Sequence, residues 1–143
     1  MKLSVILSEK GGEVVTINAS ESLWVASGIL DRHRIGATVV VTDDNAVCGV
    51  LSERDIVRRI AELGSDALEL PVEEAMTRDV VTASPDMTLE DALGLMTDRR
   101  IRHLPVLKDG KLSGIISIGD LVKRKIAETE AEAEAMKQYI HAN

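Results

Sequence analysis

The sequence predicts a mixed α/β fold made of two copies of one strand–helix–strand–strand–helix unit, with a further helix at the C-terminus. Three observations predict it. The first is an internal repeat. Setting residues 14–35 against 80–101, an offset of 66, aligns Val14, Val15, Thr16, Leu23, Ala26, Gly28, Arg34 and Ile35 with Val80, Val81, Thr82, Leu89, Ala92, Gly94, Arg100 and Ile101. Setting 49–59 against 114–124, an offset of 65, aligns Gly49, Ser52, Asp55, Val57 and Arg59 with Gly114, Ser117, Asp120, Val122 and Arg124. The offset drops by one because the turn Asp43-Asp44-Asn45-Ala46 is one residue longer than Lys108-Asp109-Gly110, and turns tolerate length changes. The second observation is that hydrophobic spacing alternates in each copy between short apolar runs and helical periodicity. The third is size and composition: 143 residues with 45% apolar and 1% aromatic content make one ordinary domain or two very small ones, with an aliphatic core.

The elements follow in order. Val14–Ile17 and Val80–Ala83 read as opening strands, followed by the turns Asn18-Ala19-Ser20 and Ser84-Pro85-Asp86. Helices run over Ser22–His33, with Leu23, Ala26, Ile29 and Leu30 on one face, and over Thr88–Arg99, with Leu89, Ala92, Leu93 and Met96. Paired strands come next, Ala37–Val41 with Val47–Leu51 and His103–Leu107 with Leu112–Ser117, joined by turns rich in Asp, Asn and Gly. Closing helices start at Ser52 and Ser117. One such unit is too small to bury both faces of its sheet, whereas two packed sheet against sheet can. The expected boundaries are a first unit at 11–63, a linker at 64–75, a second unit at 76–127 and a helical tail at 128–143. In the linker, Gly64-Ser65-Asp66 ends a helix and Pro71 precedes a short one, Val72 to Met76. In the tail, Val122, Ile126, Thr129, Ala133, Met136 and Ile140 are spaced 4, 3, 4, 3, 4, a heptad-like seam suited to a partner helix or to packing on its own domain.

Composition excludes several function classes. A net charge of −7 argues against nucleic-acid binding through phosphates, and two aromatic residues, Trp24 and Tyr139, give bases little to stack on. The single cysteine, Cys48, rules out an internal disulfide and a thiolate zinc cluster, and reads as a small buried hydrophobe. The short apolar start of the sequence and the absence of a long apolar run predict no signal peptide, no membrane partner and a cytoplasmic location. His33, His103 and His141 lack metal-ligand spacing, and no nucleophile–base set or phosphate-cradling glycine loop occurs, so no catalytic residue, metal or catalytic cofactor is expected: the chain reads as a non-enzyme.

The chemistry concentrates in a duplicated phrase, Gly49-Val50-Leu51-Ser52-Glu53-Arg54-Asp55 and Gly114-Ile115-Ile116-Ser117-Ile118-Gly119-Asp120, where a strand passes directly into a helix. A helix start offers free N–H groups and the positive end of the dipole to a phosphate. The serine adds a hydroxyl, the acid can accept from a ribose diol, and the glycine permits close approach. The same Ser-x-x-Asp is also a capping box, worth about 1 kcal/mol with no ligand at all. Duplication at one structural position favours a pair of sites.

On this phrase, with Met76-Thr77, Val80-Val81-Thr82 and Arg100 to Val106, each copy resembles a cystathionine-β-synthase (CBS) domain, and the pair resembles a stand-alone tandem CBS (Bateman) module over about residues 11–127. The resemblance implies two α/β halves related by a pseudo-twofold with sheets facing across a cleft. It implies adenosine nucleotides in that cleft: AMP first, with ADP, ATP or NAD(H) also compatible and S-adenosylmethionine in some members. It implies homodimers of modules and an effector protein, here unknown, that reads the ligand state. Carried over by position, Asp55 and Asp120 match the ribose-binding acid, and Ser52 and Ser117 the phosphate-contacting hydroxyl. Thr16-Ile17 and Thr82-Ala83 match the strand edge at the base, and Ala37 to Val39 and His103 to Pro105 the middle strand lining the pocket. Arg102, His103 and Arg54 match phosphate-binding cations.

The copies differ where charge matters. Arg102-His103 stand where the first copy has Gly36-Ala37, and Glu53-Arg54 where the second has Ile118-Gly119. The second copy therefore suits a phosphate-bearing mononucleotide such as AMP, and the first, with smaller residues, either admits a bulkier or different adenosine ligand or stays empty. The alternative is a ligand-free structural or interaction dimer whose motifs are only caps.

Overall fold

The computed structural model describes residues 1–11 and 14–142. Gly12 and Glu13, within the expected first unit, and Asn143, at the end of the expected tail, lie outside the described residues. The chain forms two compact units: residues 13–82 with 109–112, and residues 1–12, 83–108 and 113–143.

In the unit centred on the first repeat, β1 (Thr16–Asn18), β2 (Ala37–Val41) and β3 (Val47–Ser52) form a sheet in the order β1-β2-β3. β1 pairs parallel to β2, Ile17 opposite Val40, and β2 pairs antiparallel to β3, Val39 opposite Val50. Helices α2 (Leu23–His33) and α3 (Glu53–Leu63) complete the repeat. Ile17, Leu23, Ala26, Leu30, Val40, Leu51 and Ile56 form an aliphatic core shared by strands and helices, which the near-absence of aromatics dictated. Two 3₁₀ turns, Gly64–Glu69 and Val72–Glu74, carry the linker. Its backbone is tied to the start of α2 by Leu23 N–H to Leu70 O and Val72 N–H to Glu21 O, and Val50 and Thr77 exchange two hydrogen bonds beside it. Gly49 lies under this crossing: a Cβ there would collide with the Met76 sulfur and stand 3.0 Å from the Thr77 carbonyl.

In the other unit, α4 (Leu89–Arg99), β4 (His103–Lys108), β5 (Lys111–Ser117) and α5 (Ile118–Ala142) repeat the pattern. The opening strand expected at Val80–Ala83 does not form. Ala83 alone bridges Val106, its N–H donating to Pro105 O and its carbonyl accepting from Leu107 N–H. The neighbouring rungs of a parallel ladder would be donated by residues 85 and 105, and both are prolines without an N–H. The first repeat has Ala19 and Val39 at these positions, and Ala19 N–H does bond Val41 O.

The repeated Arg-Ile pairs are explained by helix endings. Arg34 and Arg100 both adopt the left-handed conformation, φ 53° and 54°, after α2 and α4. Ile35 and Ile101 N–H then bond back to Leu30 O and Met96 O, closing the last turn in the Schellman manner.

The chain begins with a helix that the repeat does not contain, α1 (Leu3–Lys10). Its Leu3 and Ile6 are 0% and 1% exposed, and Leu3 and Ser4 N–H bond the Met87 and Pro85 carbonyls. At the other end, α5 carries the expected seam, but Val122, Ile126, Met136 and Ile140 along it are exposed. Trp24 on α2 is 68% exposed, and Cys48 is only half-buried, correcting the buried reading.

Candidate functional site

Both duplicated motifs fold as complete capping boxes. In the first, Asp55 N–H donates to Ser52 Oγ at 3.2 Å and Ser52 N–H donates to Asp55 Oδ2 at 2.9 Å. In the second, Asp120 N–H donates to Ser117 Oγ at 3.1 Å and Ser117 N–H to Asp120 Oδ2 at 2.9 Å. The match extends to the strand before. Glu53 N–H bonds Gly36 O at 2.9 Å and Ile118 N–H bonds Arg102 O at 2.8 Å, so each helix start is docked on the residue preceding its middle strand. The sequence dictates this: a strand entering a helix with no intervening loop needs a β-region serine to turn the chain and an acid at the third helical position to close the box.

The two acids sit in different electrostatic surroundings. Asp55 is 8% exposed, and its Oδ1 lies 3.8 Å from Nη1 of Arg58, whose side chain is 69% exposed. Asp120 is more open, with its side chain 27% exposed, and Lys10 Nζ donates to its Oδ2 at 2.8 Å. Lys10 also donates to Ile115 O at 2.9 Å. Burial pushes the Asp120 carboxyl up, but the Lys10 hydrogen bond, the Ser117 N–H and the Lys10 charge outweigh it and hold the carboxyl below its usual range. Lys10 was not singled out in the sequence; the signals for it were the Leu3-Ile6-Leu7 helical spacing and a basic residue in that helix's last turn.

The remaining candidate positions divide by repeat. Thr16 and Ile17 lie in β1, with Ile17 buried in the aliphatic core. Ala37 and Val39 lie in β2 at 4% and 0% exposure. Val39 alternates with Val40, so it projects from the sheet face opposite the aliphatic core. In the second repeat Thr82 is exposed, Ala83 is buried, and Pro105 is buried in β4. Arg102 and Arg54 are exposed and His103 is half-buried. An open cavity of about 510 Å³ lies between the end of α2 and the start of α3, lined by Arg34, Gly36, Glu53 and Val57 among others, but not by Ser52 or Asp55. Among the described residues no group of His, Cys, Asp or Glu is placed to hold a metal ion, and no helix is long and apolar enough to cross a membrane.

The fold is shared with known proteins. A family model for the CBS domain matches twice, at residues 10–62 and 72–127. The CBS domain-containing protein YhcV of Bacillus subtilis is 33% identical over 131 residues, covering 92% of this chain and 91% of its own length. The crystal structure of a CBS-domain containing protein from Agrobacterium tumefaciens is 41% identical and superposes with a TM-score of 0.83, over 87% of this chain and 92% of that one. The CBS domain pair of protein MJ0100, crystallised in complex with 5′-methylthioadenosine and S-adenosyl-L-methionine, is 25% identical with a TM-score of 0.76, over 86% and 98% of the two chains.

Proposed function

The chain belongs to the CBS domain family, and from that premise we propose that it is a non-enzymatic regulatory module that binds adenosine nucleotides at its two Ser-x-x-Asp motifs. The observation that carries the reading is the duplicated arrangement of a serine-capped helix start with an acid one turn in, each docked on its middle strand. AMP is the first candidate ligand, with ADP, ATP and NAD(H) next; the adenosine compounds in the MJ0100 complex support the class. Asp55 and Asp120 take the ribose, and Ser52, Ser117, Arg54, Arg102 and His103 the phosphate side. Thr16, Ile17, Thr82, Ala83, Ala37, Val39 and Pro105 line the base. The CBS units span 11–63 and 76–127. Binding shifts the module between shapes by the ligand's differential affinity for them; a homodimer of modules passes that shift to an effector protein in the cytoplasm.

Calorimetry with AMP, ADP, ATP, NAD(H) and S-adenosylmethionine tests this on the wild-type chain and on Asp55→Ala and Asp120→Ala. A ligand at about 100 times its Kd should stabilise the fold by about 2.7 kcal/mol and raise Tm. Each substitution should remove one site. The completeness of both capping boxes favours one rival, a structural dimer whose motifs only cap helices. A well-folded chain giving neither heat nor a Tm shift with any of the five would establish that rival.

A further inference from the structure

Helix α1 belongs to the compact unit that contains the second motif, and it ends at that motif. Leu7 packs where a Cβ on Gly114 would stand, 2.5 Å from its Cδ2. Glu9 pairs with Arg124, and Lys10 bonds both Asp120 and Ile115 O. With Leu3 and Ile6 buried at the other end of the helix, the ammonium is held by two acceptors on a packed element rather than on a loose terminus. The ammonium and the Ser117 N–H converge on one oxygen, Asp120 Oδ2. Among the described residues the first motif has no such group: the cation paired with Asp55 is Arg58, at 3.8 Å on a mostly exposed side chain.

We infer that Lys10 sets the charge preference of the second motif's site, favouring adenosine ligands that carry negative charge beside the sugar over neutral or cationic ones. This deepens the proposed function and rests on it. An unpaired carboxylate at the ribose would repel a 5′-phosphate and attract a sulfonium; a fixed ammonium on that carboxylate cancels both effects. Arg102, docked by its carbonyl on the same helix start, adds a second positive side chain where the first repeat has Gly36. Among the described residues no lysine is bonded to the first motif's acid, so this part of the bias is missing there.

The test measures AMP, adenosine and S-adenosylmethionine by calorimetry at low salt, on the Asp55→Ala chain so that only the second site reports. Lys10→Met should weaken AMP about tenfold, leave adenosine within about twofold and tighten S-adenosylmethionine. Lys10→Arg, which keeps the charge, should hold AMP near its original affinity, separating charge from any damage to α1. Equal losses for AMP and adenosine, or no change on Lys10→Met while AMP still binds, would overturn the assignment and leave the nucleotide reading standing. AMP binding abolished by Asp55→Ala but kept in Asp120→Ala would overturn it as well. If no adenosine compound binds the wild-type chain, the nucleotide reading falls and this inference with it.

Discussion

Replacing Asp120 with asparagine isolates what its charge contributes to stability. The isosteric amide keeps one acceptor oxygen, so the Ser117 N–H, now 2.9 Å from Oδ2, retains a partner. What is lost is the charge-assisted part of that bond, about 1 kcal/mol from the difference between charged and neutral hydrogen bonds. The ion pair with Lys10 is lost too. It is close, 2.8 Å, but its side chains are 39% and 27% exposed, so it contributes no more than about 1 kcal/mol. Asp120→Asn should therefore cost about 1–2 kcal/mol near pH 7. The cost must depend on pH. The folded carboxyl is held below its ordinary value of 3.8, so its contribution is fully present above that value and is lost as pH falls through the lower folded value. Urea unfolding followed by circular dichroism, on wild type and variant from about pH 7 to about pH 3, should show the two stabilities converging on the acid side. In a Lys10→Met background the cost near neutrality should shrink by the coupling energy of the pair. A gap that stays constant across the pH series would refute the reasoning, because the loss would then come from shape and not from charge.

Two further outcomes follow from the packing. Gly49→Ala should cost about 1–3 kcal/mol in urea unfolding, since Met76 and the Thr77 carbonyl are pinned over it, whereas Gly28→Ala, with open space in mid-helix, should gain about 0.5–1 kcal/mol. Pro85→Ala should leave overall stability nearly unchanged, its new rung to Leu107 O offsetting the added freedom of the unfolded chain, while making the residue 85 amide slow to exchange with deuterium.

What was legible in the sequence depended on range. The helices, the paired strands and the capping boxes follow from residues within a few positions of one another, and they stand where spacing put them: Ser22 and Thr88 cap α2 and α4, and Ser52 caps α3. The strand expected at Val80–Ala83 failed because its β-forming residues depend on N–H groups that Pro85 and Pro105 lack, and a pattern read along one segment does not see its partner. Helix α1 is only eight residues, too short for propensity alone to hold. It forms because Leu3 and Ile6 are buried in a unit whose other residues begin at position 83, and its first N–H groups bond the Met87 and Pro85 carbonyls. Lys10 is the extreme case: it acts on a residue 110 positions later, and its own neighbourhood marks it only as a basic residue in the last turn of a short helix. The α5 seam is periodic, yet periodicity says only that one face is apolar, and Val122, Ile126, Met136 and Ile140 on that face are exposed.

Capping and ligand binding are often set against each other for a Ser-x-x-Asp phrase, but the carboxylate has two oxygens. In both repeats the cap uses Oδ2 alone. At Asp55 the second oxygen has only a distant arginine at 3.8 Å, and at Asp120 the lysine shares the capping oxygen instead of taking the other. The cap therefore fixes the side-chain rotamer before any ligand arrives and leaves an acceptor available. A rotamer already ordered by the fold does not have to be ordered on binding, a saving of about 0.5–1.5 kcal/mol per side chain. The capping box that argues for a purely structural role is thus also what would make the acid a better receptor. Ser117→Ala removes only the hydroxyl half of the cap: the backbone N–H at 117 stays on Oδ2, and the carboxylate rotamer with it. A purely structural motif then loses about 1 kcal/mol of stability and nothing else, while a site that uses the hydroxyl on the phosphate side also loses affinity for AMP and keeps its affinity for adenosine.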